Sequence, residues 1–323
     1  ATRDNLTLSH MIGSGVDVAK ALLIRDKNNT EADSVQDEWA DPKIVAKYVD
    51  QLPFEKGKIT VKITDERSRI QLNALVDYPD GKNFNPVQQK LWKRFFALLL
   101  QQQEFETDAL FSEPLKPDMI INPVKDWLDS GDNEAITGLS GAENDYYQSL
   151  DPPYGCRNGP FKHISELLRV KNIKPELFYS MAETGYGIAD YITVYGMKPA
   201  GEDRHQFTYD GKININTAEL PVIAALMPVG QEFAAEEIVA YREEKANDQY
   251  IHDLSNPGWY KEVPGVGDIE IDSGLITTTS DLFRVRCGAE LNEAAMSATV
   301  VIKREKNEET GKWQCRVLNW TNN

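Results

Sequence analysis

The order of hydrophobic periodicities along the chain predicts an α+β protein whose strands are interrupted by a large helical block. Three observations carry that prediction. An apolar stripe at helical spacing opens the chain. Alternation of period two appears within residues 58–73 and returns within 281–320. Between them, over 78–205, helix-start signals alternate with loops rich in Gly, Pro, Asn and Asp.

The stripe comprises Leu8, Met11, Ile12, Val16, Ala19, Leu22 and Leu23, which predicts an amphipathic helix over 4–25. Polar "RDKNNTEADS" then reads as a loop. In "KITVKIT", Ile59, Val61 and Ile63 alternate with Thr60, Lys62 and Thr64, as in a half-buried strand. After a turn at "DERSR", "IQLN" is expected to be a short partner strand. Asn85-Pro86 is a helix start, with Asn as cap and Pro at the first helical position. Leu91, Trp92, Phe95, Phe96, Leu98 and Leu99 give that helix a broad apolar face. Asn122-Pro123 repeats the signal before "VKDWLD", and "ISELLRVKNIKPELFYSMAE" reads as helical on both sides of Pro175. Strand runs follow at Phe283–Cys287, Ala298–Ile302 and Trp313–Val317, the last two joined by a hairpin loop at "NEETG".

Composition excludes several classes of function. Lys and Arg total 35 against 51 Asp and Glu, a net charge of -16, and no run of Lys and Arg exceeds a pair. Such a field repels nucleic acid, whose phosphates supply most nonspecific affinity. No stretch approaches the ~20 apolar residues that span a bilayer. Cys156, Cys287 and Cys315 are too few for a disulfide scaffold. If the last three strands form a meander, Cys287 and Cys315 share its core face with a strand between them. The resulting separation, about 9.6 Å, exceeds the roughly 7 Å limit for bridged Cα atoms.

The segment from Lys212 to Lys245 imitates a helix-hairpin-helix DNA-binding element, and a nucleic-acid-binding protein is the alternative reading of the chain. Its hairpin, "MPVGQEF", has one glycine, and Glu232 stands where a phosphate would sit. Packing accounts for it better: Asn216 is expected to cap the first helix, with Leu220, Ile223, Ala224, Met227, Phe233, Ile238 and Val239 facing the core. His10, His163, His205 and His252 are scattered, and no HExxH, GxSxG or P-loop string occurs. The chain is therefore expected not to be an enzyme.

The stretch Asp126–Val170 resembles the K-type minor pseudopilins of the type II secretion system (the GspK family). The shared residues are Asp126-Trp127-Leu128-Asp129, Gly141-Ala142-Glu143, Tyr147, Pro152-Pro153-Tyr154, Asn158 and Glu166-Leu167. Ile213–Ala218, Ser280–Phe283 and "VKITDERSRIQLNAL" match weaker elements of that family. Asn144 stands where the family usually has a second carboxylate, and Asp145 follows. The resemblance implies a type IV pilin-like fold, an N-terminal helix on an antiparallel sheet, with a large inserted α-helical domain. Its division would be 1–77 pilin-like, 78–205 inserted, and 206–323 pilin-like continued. It further implies a non-enzymatic component of the pseudopilus tip, with I-type and J-type minor pseudopilins and other pseudopilus subunits as partners. The full-length protein would be anchored in the bacterial inner membrane, with this part in the periplasm. A prepilin leader and an apolar segment are expected upstream of Ala1.

No basic residue lies between Lys125 and Arg157, yet Asp126, Asp129, Asp132, Glu134, Glu143, Asp145 and Asp151 crowd that stretch. Clustered carboxylates repel one another unless a cation sits among them, and calcium takes 6–8 hard oxygen ligands from flexible loops. The resemblance implies calcium too. The expected ligands of a structural ion are Asp129, Asp132, Glu143 and Asp145, with Asp268, Glu270 and Asp272 a weaker second cluster.

Overall fold

The computed structural model describes residues 2–102, 114–130, 136–179, 187–201 and 205–323. Helix α1 (Thr2–Asn29) lies against a four-stranded antiparallel sheet. Its strands, in spatial order, are β1 (Lys58–Asp65), β2 (Leu282–Leu291), β3 (Ala294–Lys306) and β4 (Trp313–Asn322). The predicted stripe of α1 is fully buried against Ile63, Phe283, Val285, Cys287, Val300 and Ile302. Contact is close at Gly15, where a Cβ would sit 2.7 Å from Cys287 Sγ. Helix α2 (Pro42–Val49), capped by Asp41, adds Val45 and Val49 to this core. Strands β2 to β4 form the expected meander, and all three cysteines are free.

A second core runs from Ile70 to Ile276. Helix α3 (Pro86–Gln102) supplies Leu91, Trp92, Phe95 and Phe96, and Asn85 Oδ1 accepts from the Val87 and Gln88 amides as expected. Elsewhere local signals gave way to tertiary structure. Ile70–Gln71 does not pair with β1. It lies in a separate two-stranded sheet, parallel to Ile192–Thr193. The physical cause is Asp65, which caps a 3-10 turn at Glu66–Ser68 and directs the chain into the second core. Helix α4 spans Pro117–Leu128, so Pro123 lies inside it rather than at its start. The missing Pro123 N–H would leave the Met119 carbonyl without its helical donor, and Asn172 Nδ2 donates to it instead, at 2.8 Å.

The helix pair singled out from sequence forms α6 (Leu220–Leu226) and α7 (Ala234–Glu243), preceded in the chain by α5 (Asn144–Gln148). Asn216 is not its cap. It is fully buried, donating to Leu254 O and accepting from Trp259 Nε1. The inward face is Val222, Ile223, Ala225, Leu226, Ala234, Ala235 and Ile238, while Leu220 and Phe233 are exposed.

A belt of buried polar side chains joins the two cores. Asp65 accepts from Ser280 Oγ, Thr217 Oγ1 and Asn214 Nδ2 at 2.6–2.8 Å. Glu66 takes two hydrogen bonds from Arg284 and one from Thr193. Arg67 bridges Asp281 and Asp210. Arg304, 2% exposed, donates to the carbonyls of Leu23 and Ser280, pairs with Asp26 and Asp33, and lies over the Phe283 ring.

Two predictions follow from this belt. Arg304→Ala removes the guanidinium shared by Asp26 and Asp33, leaving Lys27 at 3.9 Å from Asp33, and should cost about 3–5 kcal/mol, read as a lower urea midpoint. The second concerns pH. Burial pushes Asp26 and Asp65 up to about 6 and Asp37 up to about 7. The native chain therefore holds protons that the unfolded chain has released, so its stability should increase as pH falls from about 7.5 to about 5. Glu66 acts oppositely: burial would raise it, but Arg284 outweighs burial and holds it low. Its contribution is lost only below that window. Urea midpoints across the range should rise on acidification, with a shallower slope in Asp37→Asn. A flat profile contradicts this.

Candidate metal centre

The site starts from the C-terminal end of α4. Asp126 and Asp129, three residues apart, share one side of the helix end, and Lys125 places its ammonium on Asp129 Oδ2. The chain returns at 137–143 because Asp126 holds it. Both Asp126 oxygens accept from the Thr137 amide at 3.1 Å, and Oδ2 accepts from the Ala142 amide at 2.8 Å. The return is tight enough to require glycine at 141, where a Cβ would lie 2.2 Å from Asp126 Oδ2. Glu143 then precedes α5 and turns its carboxylate inward. All three acids are buried, and one oxygen from each lies within 4.8 Å of the others.

An aromatic wall fixes this corner. Trp127 meets Tyr147 edge-on at 5.0 Å and stacks on Phe161 at 6.3 Å, and Tyr147 packs on Tyr154 at 5.4 Å. Cys156 rests its Sγ 3.6 Å from Asp126 O, and burial pushes its thiol up to about 12. It is packing, without the thiolate character needed for nucleophilic or soft-metal chemistry. The donor set is carboxylate oxygen only. Two ligands of a hard cation at 2.3–2.6 Å can be at most about 5.2 Å apart, and the 4.8 Å limit on these three satisfies that bound.

Of the expected ligands, Asp129 and Glu143 are brought together. Asp145 is exposed on the first turn of α5 and outside the cluster. Asp132 lies outside the described residues. Asp126 takes the place left open. Its spacing from Asp129 on a helix is a legible signal of a carboxylate pair, although the expected ligand set omits Asp126. Asp268, Glu270 and Asp272 do not converge. They alternate with buried Ile269 and Ile271 and face solvent, Glu270 pairing with Lys261. A further acidic group, Asp26, Asp33 and Asp37, already contains the guanidinium of Arg304.

A family model described as type II secretion system protein K matches residues 68–184. Type II secretion system protein K of Pseudomonas aeruginosa is 30% identical over 226 residues, 68% of this chain and 56% of that protein. The Aeromonas hydrophila protein of the same name is 29% identical over 157 residues, 46% of this chain and 44% of that one. The chain thus spans about half the length of these relatives. In the crystal structure of the GspK-GspI-GspJ complex from enterotoxigenic Escherichia coli, one chain matches with a TM-score of 0.64 at 16% identity. That match covers 100% of this chain and 99% of the other, a likeness of fold. None of these matches supports nucleic-acid binding. Among the described residues no helix is long and apolar enough to cross a membrane. The aromatic and acidic corner built from Asp126-Trp127-Leu128-Asp129 and Gly141-Ala142-Glu143 falls inside the matched segment, and the chain belongs to the type II secretion system protein K family, the K-type minor pseudopilins.

Proposed function

We propose that this chain is a non-enzymatic structural subunit at the tip of a type II secretion pseudopilus. The observation that carries the reading is α1 laid along a four-stranded antiparallel sheet in a member of this family. On this reading α1 and the sheet are a pilin-like frame. The chain between β1 and β2, including the helical block 78–205, is inserted into it. The partners are I-type and J-type minor pseudopilins, and the protein works in the periplasm, anchored in the inner membrane by a segment preceding Ala1. Mixed at micromolar concentration with soluble I-type and J-type pseudopilins of the same system, the chain should co-elute with them as one complex. Separate elution overturns the assignment.

The carboxylate corner is proposed to hold calcium in a structural role, with Asp126, Asp129 and Glu143 as ligands and Asp132 as a further one. Three buried carboxylates converge here, with the Lys125 ammonium on Asp129. A divalent cation would balance them. Bound ion would tie the end of α4 to the loop before α5, stabilising the fold by about 2.7 kcal/mol at a hundredfold excess over its dissociation constant. Thermal unfolding should move up with calcium and down with a chelator. Lys125→Ala should enlarge the calcium-dependent shift, since the competing ammonium is gone. A transition indifferent to calcium and chelator removes the metal from the proposal.

A further inference from the structure

The sheet has a second face, turned away from α1, and its chemistry is out of keeping with the rest of the molecule. Cross-strand register sets it out in rows. Lys62 stands directly opposite Arg286, which stands opposite Thr299. The next row is Thr60, Gly288 and Ser297, and the last is Lys58, Glu290 and Ala295. Like charges directly opposite on adjacent strands are destabilising. The chain nevertheless places two cations there while its net charge is -16. Lys62 and Arg286 are exposed, and among the described residues neither forms an ion pair.

The ground around them is also cationic. Arg69, 8% exposed, keeps its Nε buried without a hydrogen-bond partner. Burial first, and then the charges of Arg284 and Arg286, hold its pKa below the usual arginine value, against opposing pulls from Glu66 and Glu219. Arg284 is already committed to Glu66, so Arg286 and Lys62 are the cations that a trough on this face offers an outside partner. The trough, of about 390 Å³, lies beneath them, floored by Gly288 and lined by the hydroxyls of Thr60, Ser297 and Thr299 and by Asn323, whose side-chain amide donates to Thr299 Oγ1. Its floor is bare because a Cβ on Gly288 would lie 2.8 Å from Thr60 Oγ1. Thr60 donates its hydroxyl to Gly288 O, which leaves the Ser297 and Thr299 hydroxyls, beside the two cations, as donors to carboxylate oxygens. A trough bounded by short side chains admits an extended chain rather than a helix.

We propose that this open face of the sheet docks an acidic, extended segment of a protein partner, whose carboxylates sit between Lys62 and Arg286. The proposal is independent of calcium and of position in a pseudopilus. It is tested on the full chain with a fluorescein-labelled hexaglutamate peptide, titrated by anisotropy at low ionic strength. Binding should saturate and weaken with added salt. Lys62→Gln and Arg286→Gln should each weaken it roughly tenfold, while Lys47→Gln, on the exposed side of α2, should leave it unchanged. Arg286→Gln should also raise the unfolding temperature, because it removes a like-charge pair. A lower unfolding temperature means that the cation is satisfied within the chain, and overturns the idea. So does equal binding by all three variants. Full displacement of the peptide by millimolar inorganic phosphate would assign the trough to small anions and likewise overturn a docking surface.

Discussion

The guanidinium of Arg304 is the constraint around which the two cores are arranged. It reaches α1 through Leu23 O and Asp26, the following loop through Asp33, and the approach to β2 through Ser280 O. Withdrawing such a cation from water is expensive, and a buried pair is weak evidence for stability in itself. What the arrangement supplies is geometry. Ser280 gives its carbonyl to Arg304, its amide to Asp33 and its hydroxyl to Asp65. Shifting any one of these would strip a partner from the other two. An apolar seam could slide, but this one has a single register.

The same belt explains why the cores stay separate. Asp65 ends β1 at the point where the chain must leave the sheet, and Ser280 and Asp281 bring it back next to β1 at β2. The chain between these crossings builds its own core of aliphatic and aromatic residues. Polar residues at both crossings satisfy the backbone there, which an apolar interface would leave buried and unpaired.

How much of this was legible depends on the range of the interaction. The α1 stripe and the four long strands are written in period, and period survives folding. Asn85-Pro86 was read correctly because its cap is satisfied within three residues. Asn122-Pro123 carries the same letters and failed, because the donor that rescues Met119 O comes from Asn172, fifty-three residues away. Asn216 failed likewise, being committed to Leu254 and Trp259. With its cap gone, α6 begins at Leu220, which is left exposed. In the candidate site, crowding marked the right region. Only the fold separates Glu143, turned inward, from Asp145, two residues on and turned out.

A chain with so large an excess of acid must keep its buried carboxylates apart or compensated, and it does so in distinct ways. Asp33 and Glu66 take arginine. Asp65 has neutral donors in Ser280, Thr217 and Asn214, and burial pushes its carboxyl above the usual carboxylate range. Asp126 spends its oxygens on backbone amides and thereby shapes the loop that carries Glu143. In the group formed by Asp126, Asp129 and Glu143, the cation on Asp129 is a lysine. Arginine would occupy the space between the acids with a rigid fork. Lysine is a point charge on a flexible stem and can withdraw. Because the lysine on Asp129 can step aside, an external ion can compete for these oxygens, and that favours the proposal of calcium.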